Sequence, residues 1–195
     1  MGNTYLVSSD LTNATDTYSK DALSNLSSEI NNLVNDIDEF KMGVLNGTLA
    51  GKGYDVIFKK IDLYSSAFTK LANVCNVLSA NITSANNYLL NYLNGRSSLN
   101  YSKLGEIETT YNRCVILLDY YSQKIKKPGE SEKKVRNADA AESYSGIVEE
   151  LAKEISVLKK FPDEISAASG MLSGIIQETT TFSSQMDSIP LSTYK

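Results

Sequence analysis

Few groups in this chain could do acid–base, nucleophilic or metal chemistry. Carboxylates pair at Asp36/Asp38 and at Glu149/Glu150. Such pairs act as general acid and base when an apolar pocket or a neighbouring charge drives their pKa values apart, but these two lie in solvated, polar stretches. The 195 residues include no histidine, so the commonest general base and the commonest zinc ligand are both missing. Cys75 and Cys114 are the only thiols, too few for a structural zinc site or a disulfide framework. Both fall on apolar helical stripes, where cysteine behaves as a small buried hydrophobe, although a disulfide between adjacent helices stays open for an exported protein. Glycines gather in VLNGTLAGKGYDVIFKK, Val44 to Lys60, at Gly47, Gly51 and Gly53. No strand precedes them, so neither a phosphate-binding loop nor a dinucleotide fingerprint is met. No catalytic residue, metal or cofactor is expected, and the chain is not expected to be an enzyme.

The elements around these groups read as helices. Three prolines and eleven glycines are too few for a turn-rich sandwich or barrel. Leu23, Leu26, Ile30, Leu33, Ile37, Phe40 and Val44 alternate in steps of three and four, which lays them on one helical stripe. That helix starts at an Asp10 or Asp16 cap and stops at Asn46-Gly47. Its outer positions, Ser24, Asn25, Ser27, Ser28, Asn31, Asn32 and Asn35, are poor helix formers, so packing must hold it. A second stripe runs from Ile57 to Tyr92 and ends at Asn94-Gly95; a third runs from Leu104 to Ile125 and ends at Pro128-Gly129. A fourth helix turns Tyr144, Val148, Leu151, Ile155 and Leu158 inward. Phe161-Pro162-Asp163-Glu164 then reads as the start of a fifth; the alternative is one long helix kinked at Pro162.

The net charge of −4 argues against nucleic acid, whose binding needs a basic face. Residues 124–136 carry six basic and two acidic side chains, which reads as a solvated linker. No run approaches the roughly 20 apolar residues of a membrane span, so no stable membrane insertion is expected. The N-terminal residues lack the basic region and apolar run of a secretory signal. Apolar positions exceed what one seam needs: Phe58, Val74, Tyr88 and Leu93 flank the second stripe, and Ile116 and Tyr120 lie in the apolar run CVILLDYY of the third helix. With Leu23, Ile30, Ile37 and Phe40 of the first helix they form a candidate partner interface. An intrachain bundle is the other way to cover them.

Two long amphipathic helices joined by a short glycine-bearing turn resemble the WXG family of bacterial type VII secretion. Leu49-Ala50-Gly51, followed by Gly53, Tyr54 and Asp55, is similar to the Leu-x-Gly turn of the related LXG domains of secreted antibacterial toxins. The chain departs from the simple WXG pattern, having no tryptophan, and it lacks the Tyr-x-x-x-Asp/Glu export signal of actinobacterial substrates. A Phe58-x-x-x-Asp62 match is present, but internally.

The resemblance covers residues 10 to 94 and implies an all-α fold, an elongated antiparallel hairpin extended by two to three further long helices with coiled-coil-like packing. The hairpin domain would span 1–97 and the helical extension 98–195, with a basic linker near 126–138. The implied function is non-catalytic: export targeting, and heteromers with small WXG-like helical partners and the type VII secretion machinery. The protein would be cytoplasmic before export, then secreted or on the surface of a Gram-positive bacterium by a route independent of a signal peptide. The resemblance allows either a toxin domain beyond Lys195 or a stand-alone relative. The turn motif Leu49, Ala50, Gly51, Gly53 and Tyr54 would be read by a partner or serve only as a corner. The alternatives are a self-assembling structural coiled coil and a soluble helical pore-forming toxin.

Overall fold

A computed structural model describes residues 5–46 and 52–187. It is all-α apart from two three-residue strands among those residues. In chain order the elements are β1 (Tyr5–Val7), α1 (Ser8–Ala14), a π-helical stretch (Thr15–Leu23), α2 (Ser24–Asn46), α3 (Lys52–Leu93), β2 (Ser98–Asn100), a 3-10 turn (Tyr101–Lys103), α4 (Leu104–Lys126) and α5 (Ser131–Asp187). They form two compact units that are not divided at a single point of the chain: residues 1–8 with 95–165, and residues 9–94 with 166–195. Among the described residues no helix is long and apolar enough to cross a membrane.

In the unit of residues 9–94 and 166–195, the first helical run packs antiparallel on α3. Asn86 meets Leu11 and Thr15, Ser79 meets Ser19, the Ala72 carbonyl meets Ser27, and Asp62 meets Lys41. The expected alternation of three and four therefore does build a hairpin. Its apolar core is Ile30, Ala72 and Cys75, with Leu23, Phe68 and Leu71 packed around them. The helix begins at Ser8, earlier than either expected cap. Nothing apolar marks this start, because the inward residues of its first turns are the buried Thr15 and Ser19. α3 ends where expected: Asn94 (φ 48°) and Gly95 (φ 79°) both take the left-handed conformation that closes a helix. Asparagine tolerates it and glycine adopts it without a Cβ clash.

In the unit of residues 1–8 and 95–165, β1 pairs antiparallel with β2, Leu6 opposite Leu99, and both leucines are buried. Asn100 accepts hydrogen bonds from the backbone N–H (3.1 Å) and hydroxyl (2.6 Å) of Ser102, which starts the turn into α4. α4 and the first part of α5 run antiparallel. Tyr121 stacks on Tyr144 with ring centroids 5.8 Å apart, Tyr101 stacks on Phe161 at 5.5 Å, and Lys159 meets Glu108 at 2.9 Å. The inward residues read from the sequence, Cys114 on α4 and Leu158 on α5, are buried.

Of the two readings at Pro162, a new helix or one long helix, the structure has the long helix: α5 passes through Pro162 from Ser131 to Asp187. Proline removes one backbone donor there. The neighbours Leu158 and Phe161 are almost fully buried, and burying such side chains stabilises by about 1.5–3 kcal/mol each, enough to carry the helix through.

Candidate partner-binding surface

α2 carries two apolar rows in heptad register. Leu23, Ile30, Ile37 and Val44 form one row, and Leu26, Leu33 and Phe40 the other. In a symmetric two-helix seam both rows face the partner helix. Here only the first does. Ile30 is 7% exposed, whereas Leu26, Leu33 and Phe40 are 44%, 43% and 62% exposed.

The cause lies in polar residues. Ser27, expected on an outer face, is 3% exposed and donates its hydroxyl hydrogen to the Ala72 carbonyl at 3.2 Å. Ser19, at 1% exposure, has its hydroxyl 2.8 Å from the Ser79 carbonyl and 2.7 Å from the hydroxyls of both Ser79 and Thr83. Asn86 donates to the Leu11 carbonyl at 3.2 Å and to the Thr15 hydroxyl at 2.9 Å. A buried hydroxyl that loses its partner costs about 1–3 kcal/mol, so this ladder fixes the roll of the first helix against α3. The π-helical stretch Thr15–Leu23 changes the residue phase just before α2, as π segments do. Ser27 thus takes the inward place that Leu26 would otherwise fill, and the half-buried Val34 and Lys41 continue that row in place of Leu33 and Phe40.

The uncovered row borders an open groove of about 430 Å³ between α2 and α3, lined by Asp36, Ile37, Phe40, Ile61, Tyr64 and Phe68. Five of those six residues are apolar or aromatic, and the sixth, Asp36, stands at the rim. Glu29 and Asp36 follow Leu26 and Leu33 by three residues, which places them beside the exposed row. Glu39, next to Phe40 in sequence, points about 100° round the helix from that ring and stands exposed on the outer face. The one base of α2, Lys41, is held by Asp62 of α3.

Two hollows among the described residues of the other unit are both polar. One, of about 260 Å³, lies beside the strand pair and includes Tyr5, Lys103 and Glu154. The other, of about 450 Å³, lies between α4 and α5 and includes Glu108, Tyr111 and Lys159. Their carboxylates are already engaged, Glu154 by Arg96 at 3.2 Å and Glu108 by Lys159.

The expected interface residues separate by environment. Ile30, Val74 and Leu93 are covered by the chain itself; Leu23, Ile37, Phe58 and Tyr88 are half-buried; Phe40, Ile116 and Tyr120 are exposed. Phe40 and Ile37 meet in the groove. Ile116 and Tyr120 belong to the other unit, on the outward face of α4 with Val115 and Leu117. Of the expected turn motif, Leu49, Ala50 and Gly51 lie outside the described residues, and Gly53 and Tyr54 fall in the first turn of α3. Leu26, Leu33, Ile61, Tyr64 and Phe68 were read as plain seam residues; no sequence signal shows that the serine ladder turns part of that seam outward.

Cys75 and Cys114 are free and buried. Burial pushes the Cys75 thiol above its ordinary range, which keeps it protonated and a poor nucleophile. Lys20 is raised by its hydrogen bond to Asp16 and by that carboxylate's charge. Among the described residues no three His, Cys, Asp or Glu side chains gather as a metal site would need. No family model matches the sequence, and no curated protein or solved structure matches it either.

Proposed function

We propose that this chain is a non-catalytic, partner-binding and export-targeting module of a type VII secretion substrate of the LXG type. The observation that carries the proposal is the half-covered heptad of α2: one apolar row packs on α3 while Leu26, Leu33 and Phe40 stay open, and Phe40 lines an apolar groove. A small helical-hairpin partner can lay its own apolar stripe along that row and complete a composite bundle, by the helix-in-groove mode of recognition. The Leu49-Ala50-Gly51 sequence between two long helices, α2 and α3, supports placing this binding in type VII export. In that setting the partner-bound hairpin is what the secretion machinery recognises, and the protein leaves a Gram-positive cell without a signal peptide.

The test is co-expression with any small helical-hairpin proteins encoded beside it, followed by co-purification and an export assay. A stable heteromer that is lost in Phe40→Asp, with export lost alongside it, is the expected result. A monomer that folds cooperatively and ignores every such partner would overturn the proposal.

A second reading, self-assembly as a coiled-coil protein, draws on the exposed cluster of Val115, Ile116, Leu117 and Tyr120 on α4. Light scattering that finds a homo-oligomer without a second gene product, lost in Ile116→Asp, would favour it.

A further inference from the structure

The outward face of α4 joins apolar side chains to bases. Arg113, Ile116, Tyr120 and Lys124 follow one another in steps of three and four, one stripe of the helix. The half-buried Leu118, Tyr121 and Ile125 lie on the other side, where Tyr121 stacks on Tyr144 of α5. Ile116 is 69% and Tyr120 51% exposed, and the Lys124 ammonium stands 5.2 Å over the Tyr120 ring. Lys126 and Lys127 carry the bases to the end of the helix, so residues 109–127 hold four bases and one acid. That acid, Asp119, accepts a hydrogen bond from Gln123 at 2.7 Å. Among the described residues the four bases enter no ion pair. In the turn beyond them, Glu130 and Glu132 are each paired with a base of the same segment, Lys133 and Arg136. α5 has the opposite sign: Asp139, Glu142, Glu149 and Glu150 are exposed, and residues 137–150 hold no base. Each of these acids lies more than roughly 100° round α5 from the inward Tyr144, away from α4.

The kinds of occupant differ in what they need. A partner helix needs apolar side chains every three or four residues over several turns. Here the seam through Ile116 and Tyr120 continues in Thr109, Arg113, Gln123 and Lys127, none of them apolar. A second copy laid antiparallel on this face would set Arg113 of one chain against Lys124 of the other. A single-stranded nucleic acid needs open rings for stacking, and Lys124 covers Tyr120. An anionic bilayer surface meets both halves of the face. Ile116 and Tyr120 enter the interfacial layer, where tyrosine is favoured, while the bases meet lipid phosphates.

We propose that α4 docks peripherally on an anionic lipid surface, with its Ile116 face against the lipid and the acids of α5 turned away. The docking does not rest on the partner-binding reading, whose residues belong to the other unit. Two exposed apolar side chains anchor weakly by themselves, so binding is reversible and falls as salt rises.

The experiment is co-sedimentation of the full chain with vesicles of phosphatidylcholine, alone or in equal parts with phosphatidylglycerol, at low and high salt. Anionic vesicles should bind at least about tenfold more tightly than neutral ones, with the preference lost at high salt. Arg113→Glu/Lys124→Glu should weaken that binding at least about tenfold, with an unchanged helical circular dichroism spectrum. Lys153→Glu/Lys160→Glu makes the same change in net charge on α5 and should stay within about twofold of the parent. The chain has no tryptophan, so Ile116→Trp supplies a single reporter whose emission should move to the blue on anionic vesicles.

No binding to anionic vesicles at low salt, or equal binding to both kinds, would overturn the proposal. Equal losses in the two double variants would also overturn it, by making net charge rather than the α4 face the cause. Binding without a blue shift, or heparin that binds as tightly as the vesicles do, would replace the bilayer contact by a contact of bases alone. A lipid-free homo-oligomer dispersed by Ile116→Asp would make a second copy the occupant. None of these variants touches Leu26, Leu33 or Phe40, so partner binding stands or falls separately.

Discussion

Ser19 and Ser79 grip each other across the hairpin: the Ser19 hydroxyl donates to the Ser79 carbonyl at 2.8 Å, and the Ser79 hydroxyl donates back to the Ser19 carbonyl at 3.1 Å. Thr83 closes the cluster, its hydroxyl 2.7 Å from that of Ser19. Replacing Ser19 by alanine leaves hydroxyl and carbonyl groups of α3 facing a methyl, and a buried polar group without its partner costs about 1–3 kcal/mol. Ser19→Ala should therefore lower the unfolding free energy by that amount, read as a lower urea midpoint with an unchanged m-value. Tyr18→Ala, on the exposed side of the same stretch, should stay within about 0.5 kcal/mol of the parent.

Pro162 lies inside α5 and offers no N–H to the carbonyl of Leu158, four residues earlier. A proline in a helix interior costs up to about 3 kcal/mol relative to alanine. Pro162→Ala should raise stability by about 1–3 kcal/mol, read as a higher thermal midpoint. A loss of stability would show that the proline fits a bend that the packing of Phe161 on Tyr101 requires.

The hairpin was legible because Ile30, Leu71 and Cys75 carry a helical period that only packing can satisfy. The end of α3 was legible because Asn94-Gly95 is a chemical stop. Three features were not. β1 and β2 are three residues each, too short for alternation to register, and their pairing joins residues far apart in sequence, Val7 with Ser98 and Tyr5 with Asn100. The choice at Pro162 between a new helix and one long helix stayed open in the sequence, because it depends on burial of Leu158 and Phe161, a tertiary effect. The candidate surface was half legible: Phe40 and Ile37 stood out, but the direction in which α2 rolls is decided by the hydroxyls of Ser19 and Ser27, residue types that read as solvent-facing.

Burial raises the thiol pKa of Cys75 above its ordinary value of 9.0. The folded chain thus keeps a proton that the unfolded chain gives up in alkaline solution. By linkage, the stability due to this group is complete below the ordinary value and declines as pH rises beyond it towards the folded value. The stability difference between the parent chain and Cys75→Ala should accordingly shrink between about pH 7 and about pH 10, settings on either side of that ordinary value. Iodoacetamide should label Cys75 at least about tenfold more slowly in the folded chain than in urea, since only an exposed thiolate reacts readily.

Ile30 and Phe40 belong to adjacent rows of α2 but to opposite environments, one 7% and the other 62% exposed. Truncating a buried isoleucine to alanine costs about 2–5 kcal/mol, and Ile30 packs directly on Ala72 and Cys75, so Ile30→Ala should lose stability in that range. Phe40→Ala should change stability by no more than about 0.5 kcal/mol, as exposed substitutions do. The binding effects should run the other way. An aromatic anchor at the centre of an interface typically costs at least about 2 kcal/mol when truncated, so Phe40→Ala should weaken a hairpin partner by about thirtyfold or more while its urea transition overlays that of the parent chain. Paired measurements on the same two variants, unfolding by circular dichroism and partner binding by titration calorimetry, separate the roles. If Phe40→Ala unfolds the hairpin, the second row is core in solution and α2 has no open face. If it affects neither stability nor binding, the row is open but no helix uses it.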